Sequence, residues 1–130
     1  MTHPLLCLTA AIFFEARDQP PWGMEMVAQV VMNRVEHHKF PDTVCDVVYE
    51  PYQFSFANGG HRSVDSYDTP KDRRAARMAR EVALAYLEGE SIGVTSTHYH
   101  TVAVAPWWKY VFKFDGQVGD HVFYTCYKRC

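Results

Sequence analysis

At 130 residues the chain has the length of one ordinary domain, and 48 % hydrophobic with 22 % charged residues excludes a disordered polymer. The 13 Lys and Arg against 15 Asp and Glu give a formal net charge of −2, which excludes a strongly basic nucleic-acid binder. Aromatic residues reach 15 %, and they serve either as core mass or as a platform for a ligand with apolar faces.

The first segment reads as a helix, because Leu5, Leu8, Ile12, Glu15 and Ala16 fall on one face. Leu5 to Phe14 has the apolar character of a signal-peptide core, but no basic segment precedes it and no cleavage site follows it, so it is read as a mature buried helix. On that reading the chain is made in the cytoplasm without a signal peptide. No apolar run reaches the roughly 20 residues of a membrane span, so stable membrane insertion is not expected. Pro20 and Pro21 stop the first helix, and Trp22-Gly23 completes a loop.

Met24, Val27, Ala28, Val31 and Val35 trace a second helix that His37, His38 and Lys39 finish and Phe40-Pro41 breaks. Asp42 or Thr43 caps a short helix carrying Val44, Val47 and Val48. Tyr52 to Phe56 alternates like a strand, Asn58-Gly59-Gly60 turns, and His61 to Asp68 is a polar loop. Thr69 before Pro70 is an N-cap followed by proline at the first helical position; Ala75, Ala79, Val82, Ala83, Tyr86 and Leu87 then share a face, and Gly89 stops the helix.

The last third changes period. Thr97 to Val104 and Tyr110 to Phe114 read as strands, Asp115-Gly116 as a hairpin turn, and Val118 to Tyr127 as the returning strand. Helices first and strands late, without βαβ alternation, indicate an α+β fold over residues 1–130 as a single domain. The cysteines at 7, 45, 126 and 130 form no C-x-x-C pair, which excludes a zinc ribbon or thioredoxin motif. They are expected as free thiols, although Cys126 and Cys130 are near enough in sequence to bridge if oxidised.

Glu15 is the most informative residue. A carboxylate on a Leu, Ile and Ala face is costly to bury. It is either paired with an arginine such as Arg17 or Arg34 for structural reasons, or held protonated as a general acid.

Ile12-Phe13-Phe14-Glu15-Ala16-Arg17, then Gly23, Val27-Ala28 and Val30 to Val35, resemble the cell-wall hydrolase family of the spore-cortex lytic enzymes SleB and CwlJ. The likeness continues through Phe40-Pro41, Val48-Tyr49, Gln53-Phe54-Ser55, Thr97-His98-Tyr99-His100, Pro106-Trp107 and Gly119 to Tyr124. It implies a lysozyme-like domain that cleaves peptidoglycan glycan strands as a lytic transglycosylase, with Glu15 as catalytic acid and base. A hydrolytic muramidase using the same Glu15 is the alternative. The family reads E-A-R-G-E where this chain has Glu15-Ala16-Arg17-Asp18-Gln19, so Gln19 cannot titrate and Asp18 is the candidate auxiliary carboxylate. Asn33 and Arg34 are read as structural, positioning the loop that carries Asp18.

Sugar rings stack on aromatic rings, which makes Phe54, Tyr99, Trp107 and Trp108 candidates for the glycan cleft. Gln53, Ser55, Thr97, His98 and His121 are the hydrogen-bonding candidates, whereas Phe13, Phe14 and Tyr86 are assigned to the core. No cofactor is called for, and the partner is peptidoglycan glycan, met by a monomer. Without a signal peptide, the enzyme reaches the wall after release, as a phage endolysin does, or by other export. Two rivals remain. One is a zinc hydrolase with His98, His100 and His121 as ligands; the other is a peptidoglycan-binding module that has lost catalysis.

Overall fold

Proline opens three of the helices, as its fixed φ and missing N–H favour. In the computed structural model, which describes residues 3–51, 53–58 and 63–130 (the side chains of Ser55 and Asn58 excepted), these are α1 (Pro4–Ala16), α2 (Pro21–Glu36) and α4 (Pro70–Leu87). Pro21 and Trp22 were expected in a loop; Pro21 is instead the first residue of α2, for which its geometry is suited. The short α3 (Val44–Val48) is capped by Thr43, whose hydroxyl accepts from the Asp46 N–H at 3.2 Å, and Thr69 caps α4 through the Asp72 N–H at 3.1 Å. Gly89, at φ +110°, ends α4 in a conformation that a side chain resists.

α1 is the central helix. Cys7, Leu8, Ala11, Ile12, Phe13 and Ala16 are buried against Val27, Ala28 and Val31 of α2, Val44, Val47 and Val48 of α3, and Ala75, Ala79 and Ala83 of α4. Alanines repeating every fourth residue let α4 approach α1 closely. Phe13 and Tyr86 are core, as expected, and Phe14 packs against that core while partly exposed. The expectation of free thiols is overturned. Packing of α3 on α1 brings the Cys7 and Cys45 Cα atoms to 5.3 Å, and these residues form a disulfide; Cys126 and Cys130 form a second, with Cα atoms 5.8 Å apart.

The strand expected from Tyr52 to Phe56 does not form over residues 53–56. Phe54 and Phe56 lie on a bend and a 3₁₀ turn (Ser55–Asn58), and both enter the helical core instead of pairing with the sheet. Tyr52 and the turn at Gly59-Gly60 lie outside the described residues. The polar stretch after them holds a second 3₁₀ turn, Val64–Ser66.

Three antiparallel strands, β1 (His98–Thr101), β2 (Lys113–Val118) and β3 (His121–Thr125), form a sheet in the order β1-β3-β2. Asp115-Gly116 is not the turn. It sits within β2 at a register irregularity, because the Asp115 carboxylate is drawn inward to accept from Ser96 Oγ at 2.7 Å and Thr125 Oγ1 at 2.6 Å. The chain reverses at Gly119-Asp120 instead, where Gln19 fastens the turn. The Gln19 side-chain carbonyl accepts from the Asp120 N–H at 2.8 Å, and its amide donates to Asp120 Oδ2 at 3.3 Å.

Gly119 has φ +56°, and a Cβ there would lie 2.2 Å from Gln19 Oε1 and 2.8 Å from Pro20 Cδ. Gly119→Ala is therefore expected to cost about 1–2 kcal/mol from backbone strain alone, with further loss from displacing Gln19. A urea denaturation midpoint no lower than that of the wild type would contradict this.

Candidate active site

Glu15 occupies the last turn of α1, half-buried, where α1 meets β1. The Tyr99 hydroxyl, from β1, donates to Glu15 Oε1. The Tyr99 ring is packed among His121 at 4.8 Å, Phe123 at 5.3 Å and Phe54 at 6.5 Å between ring centroids. Burial, the Glu15 charge and the hydrogen bond to Glu15 together raise the Tyr99 phenol well above its ordinary range, so it remains a proton donor to the carboxylate.

A polar stripe on α2 places Tyr99. Gln29 Oε1 accepts from Ser91 Oγ at 3.0 Å and the Ile92 N–H at 2.9 Å, and the Gln29 amide donates to Asn33 Oδ1 at 3.0 Å. Asn33 Nδ2 in turn donates to the carbonyls of Val94 at 3.0 Å and Ser96 at 2.8 Å. Arg34 Nε donates to the Thr97 carbonyl at 2.7 Å. Asn33 and Arg34 are structural, but not as expected: they hold the segment that enters β1, while the chain around Asp18 is tied to the hairpin through Gln19.

Arg34 is 4 % exposed, with its guanidinium 4.9 Å from the Phe40 ring and 5.5 Å from the Phe54 ring. Burial lowers its pKa, while Tyr99, Glu50 and Glu15 oppose the shift, and a guanidinium remains charged in any case. Arg34 Nη1 and Glu50 Oε1 are buried without a hydrogen-bond partner among the described residues. A buried positive charge thus underlies Glu15, with a second carboxylate, Glu50, facing the same cation. Sequence reasoning missed Glu50. Its one local signal is its place between the apolar α3 stripe and Pro51, which does not separate it from an ordinary helix-end carboxylate. Arg17 lies 4.4 Å from the Tyr67 ring and pairs with Asp72 at 3.8 Å, pinning the end of α1 to the start of α4.

The sheet sorts the remaining candidates by strand parity. Tyr99 and His121 share the face toward α1 and α2, whereas His98, His100 and Tyr124 face the other way, where Trp108 stacks on Phe112 at 5.4 Å. Trp107, 65 % exposed, packs edgewise on Phe112 on that far side. His121 therefore stands across the sheet from His98 and His100, which removes the three-histidine geometry. Among the described residues no group of three His, Cys, Asp or Glu side chains converges as a metal site.

Thr97 is buried, with its hydroxyl accepting from the Cys126 N–H at 3.1 Å and its carbonyl taken by Arg34. Phe54, 1 % exposed, supports Tyr99 from within the core, and Gln53 is exposed. The Ser55 side chain lies outside the described residues. Asp18 is turned to solvent, 3.8 Å from Arg17 Nε and 3.6 Å from Lys71 Nζ.

Burial first, then the Arg34 and His37 charges, depress His98 to about 3. The unfolded chain therefore binds the His98 proton more readily, so this contribution to stability is complete above about pH 6.5 and is lost as pH falls from there towards 3. His98→Gln is expected to lose less melting temperature than the wild type between pH 7 and pH 4.5; equal losses would refute this origin.

The fold and site together define an α+β domain in which the half-buried Glu15 is held against a small antiparallel sheet. The chain belongs to the cell wall hydrolase family, whose profile matches residues 18–124, beginning just beyond Glu15. Spore cortex-lytic enzymes of Oceanobacillus iheyensis and Halalkalibacterium halodurans are both 30 % identical to it, over 87 % and 89 % of this chain. The chain spans only 38 % and 33 % of the length of those two relatives. Among solved structures it is similar to the catalytic domain of the germination-specific lytic transglycosylase SleB from Bacillus anthracis, with a TM-score of 0.72 and 26 % identity over 94 % of this chain and 93 % of that one. The SleB catalytic domain from Bacillus cereus gives a TM-score of 0.73 at 26 % identity, over 94 % and 89 % of the two chains. Among the described residues no helix is long and apolar enough to cross a membrane.

Proposed function

We propose that residues 1–130 act as one catalytic domain, a monomer that cleaves the MurNAc–GlcNAc glycan strand of peptidoglycan as a lytic transglycosylase, with Glu15 as acid and then base. The observation that carries this reading is the Tyr99 hydroxyl bound to Oε1 of a half-buried Glu15 beside buried Arg34. Tyr99 orients the Glu15 carboxyl by donating to Oε1, and Glu15 supplies the transferable proton. That proton passes to the glycosidic oxygen as the C1–O bond of MurNAc breaks, and the departing GlcNAc leaves with a hydroxyl at C4. The resulting carboxylate accepts the proton of the 6-hydroxyl of MurNAc, and O6 bonds to C1 to close the 1,6-anhydro ring.

One carboxylate suffices for this reaction sequence, because the nucleophile belongs to the substrate; ordinary glycosidases that activate water or form an enzyme ester use two. The solvent-turned Asp18 and the staple role of Gln19 agree with a single-glutamate mechanism. Tyr99, bonded to Glu15, and His121, whose ring lies 4.8 Å from that of Tyr99, share one face of the sheet. Two closed disulfides suit work in the oxidising space outside the cytoplasm.

Mass spectrometry of digested peptidoglycan tests the reaction. Anhydro-muramyl ends are expected, whereas reducing muramic acid alone would make the enzyme a hydrolase using the same Glu15. Tyr99→Phe keeps the ring and removes the donor to Glu15; kcat is expected to fall about ten-fold, the value of one hydrogen bond to a charged group, with the melting temperature little changed. An unchanged kcat would remove Tyr99 from the mechanism.

A further inference from the structure

We propose that Glu50 is a positioning residue for the reaction, whose carboxylate balances the buried Arg34 charge so that Glu15 keeps the proton it must donate; this rests on the reading of Glu15 as the catalytic acid. Arg34 is 4 % exposed. Its Nε donates to the Thr97 carbonyl at 2.7 Å, a neutral acceptor, and its Nη1 is buried without a hydrogen-bond partner among the described residues. The half-buried Glu50 presents the matching acceptor: Oε1 is also buried and without a partner among the described residues. The cation and the carboxylate therefore act on one another as charges, with no hydrogen bond closed at these two atoms.

Three helix ends supply the charges. Arg34 comes from the last turn of α2, Glu15 from the last turn of α1, and Glu50 lies just beyond α3. The Glu50 carbonyl accepts from the Gln53 N–H at 3.2 Å, in the turn that leads to Phe54. The Phe54 ring lies 5.5 Å from the Arg34 guanidinium and 6.5 Å from the ring of Tyr99, whose hydroxyl is bonded to Glu15. Tyr99, Glu50 and Glu15, in that order, favour the charged form of Arg34. Such attraction is mutual, so Arg34 in turn draws Glu15 towards its ionised form. His37 of α2, His98 of β1 and His121 beside Tyr99 complete the titratable surroundings, and burial lowers the pKa of all three, which leaves them uncharged at neutral pH.

A general acid must hold its proton at the pH where it works. A buried cation without a countercharge acts against that. At an effective dielectric constant of about 20, a unit charge about 10 Å away is worth about one pH unit to a titrating carboxyl. Glu50 offsets this in two ways: it neutralises Arg34, and it repels a second negative charge at Glu15. Once the proton has passed to the glycosidic oxygen, Arg34 and the Tyr99 hydroxyl steady the Glu15 carboxylate until it takes the proton of the 6-hydroxyl. The balanced pair behind Glu15 thus suits one carboxyl that serves as acid and then as base.

The test is the pH profile of kcat/KM for release of soluble fragments from peptidoglycan. Glu50→Gln keeps the size of the side chain and removes its charge. It is expected to move the alkaline limb of the profile down by about one pH unit, so that activity on that limb falls about ten-fold while activity on the acid side stays near that of the wild type. Glu50→Ala, a second neutral variant, is expected to move the limb in the same direction, and Glu50→Asp, which keeps the charge, to leave it in place. The three histidines are present in every protein compared, so the difference between profiles reports Glu50. A uniform loss at every pH would make Glu50 a structural residue; a limb that stays in place or moves up in the neutral variants would deny that its charge acts on Glu15. Either result overturns the proposal. Glu15→Gln, measured alongside, separates the two readings. If it is inactive while Glu50→Gln keeps the wild-type profile, this proposal falls and the Glu15 reading stands; lysis by Glu15→Gln at the wild-type rate overturns both.

Discussion

Glu15→Gln is expected to lower release of soluble fragments from peptidoglycan about 10³-fold, within the range that loss of a general acid produces, while the protein still pellets with the wall. The amide is the same size as the acid and its oxygen still accepts from Tyr99, so the contact at Oε1 survives. What disappears is a proton that can be given up and taken back, and both halves of the proposed reaction need it. Retained binding with lost lysis separates catalysis from a purely binding role. Lysis at the wild-type rate would require another carboxylate, and Glu50, facing the same buried Arg34, would be the first to substitute.

Removing the Cys7–Cys45 bridge is expected to have the largest effect on stability. The two cysteines are 38 residues apart, and opening a loop of that size releases about 4 kcal/mol of chain entropy to the unfolded state. For a chain of this length that is a fall of roughly 12–16 °C in melting temperature, measurable for Cys7→Ser/Cys45→Ser in non-reducing buffer. The Cys126–Cys130 bridge spans only 4 residues, and the same logarithmic dependence gives it about half the value. Opening it is thus expected to shift the transition by roughly half as much. Equal shifts for the two bridges would show that native-state contacts, and not loop length, set their contribution.

Much of the helical half was legible because its signals are local. Thr43 and Thr69 accept from first-turn N–H groups of α3 and α4 and Pro70 removes one such donor, all where the sequence places them, and the Ala75, Ala79, Ala83 spacing marks the face that α4 buries. The strands were found but their turn was misplaced. Asp-Gly is a strong hairpin signal, yet the Asp115 carboxylate bonds Ser96 and Thr125, residues 19 and 10 positions away, so β2 continues through it. Tyr52 to Phe56 alternated as a strand does, but two buried phenylalanines two residues apart also suit a turn pressed into a helical core.

The same division holds for the site. Glu15 stood out because a carboxylate on an apolar helix face is costly, and that cost is legible residue by residue. Nothing local distinguishes Tyr99, which holds Glu15, from Trp107 and Trp108, which the strand pairing sets across the sheet. By itself the sequence determined the α+β order, the starts of α3 and α4 set by Thr43, Thr69 and Pro70, and the one carboxylate out of place on its helix. Only the tertiary structure decided which cysteines meet, that Asn33 and Arg34 hold the entry to β1, and which aromatic rings share a face with Glu15. Each of these depends on residues far apart in the chain, and their approach is fixed by packing and strand register, which no short-range pattern encodes.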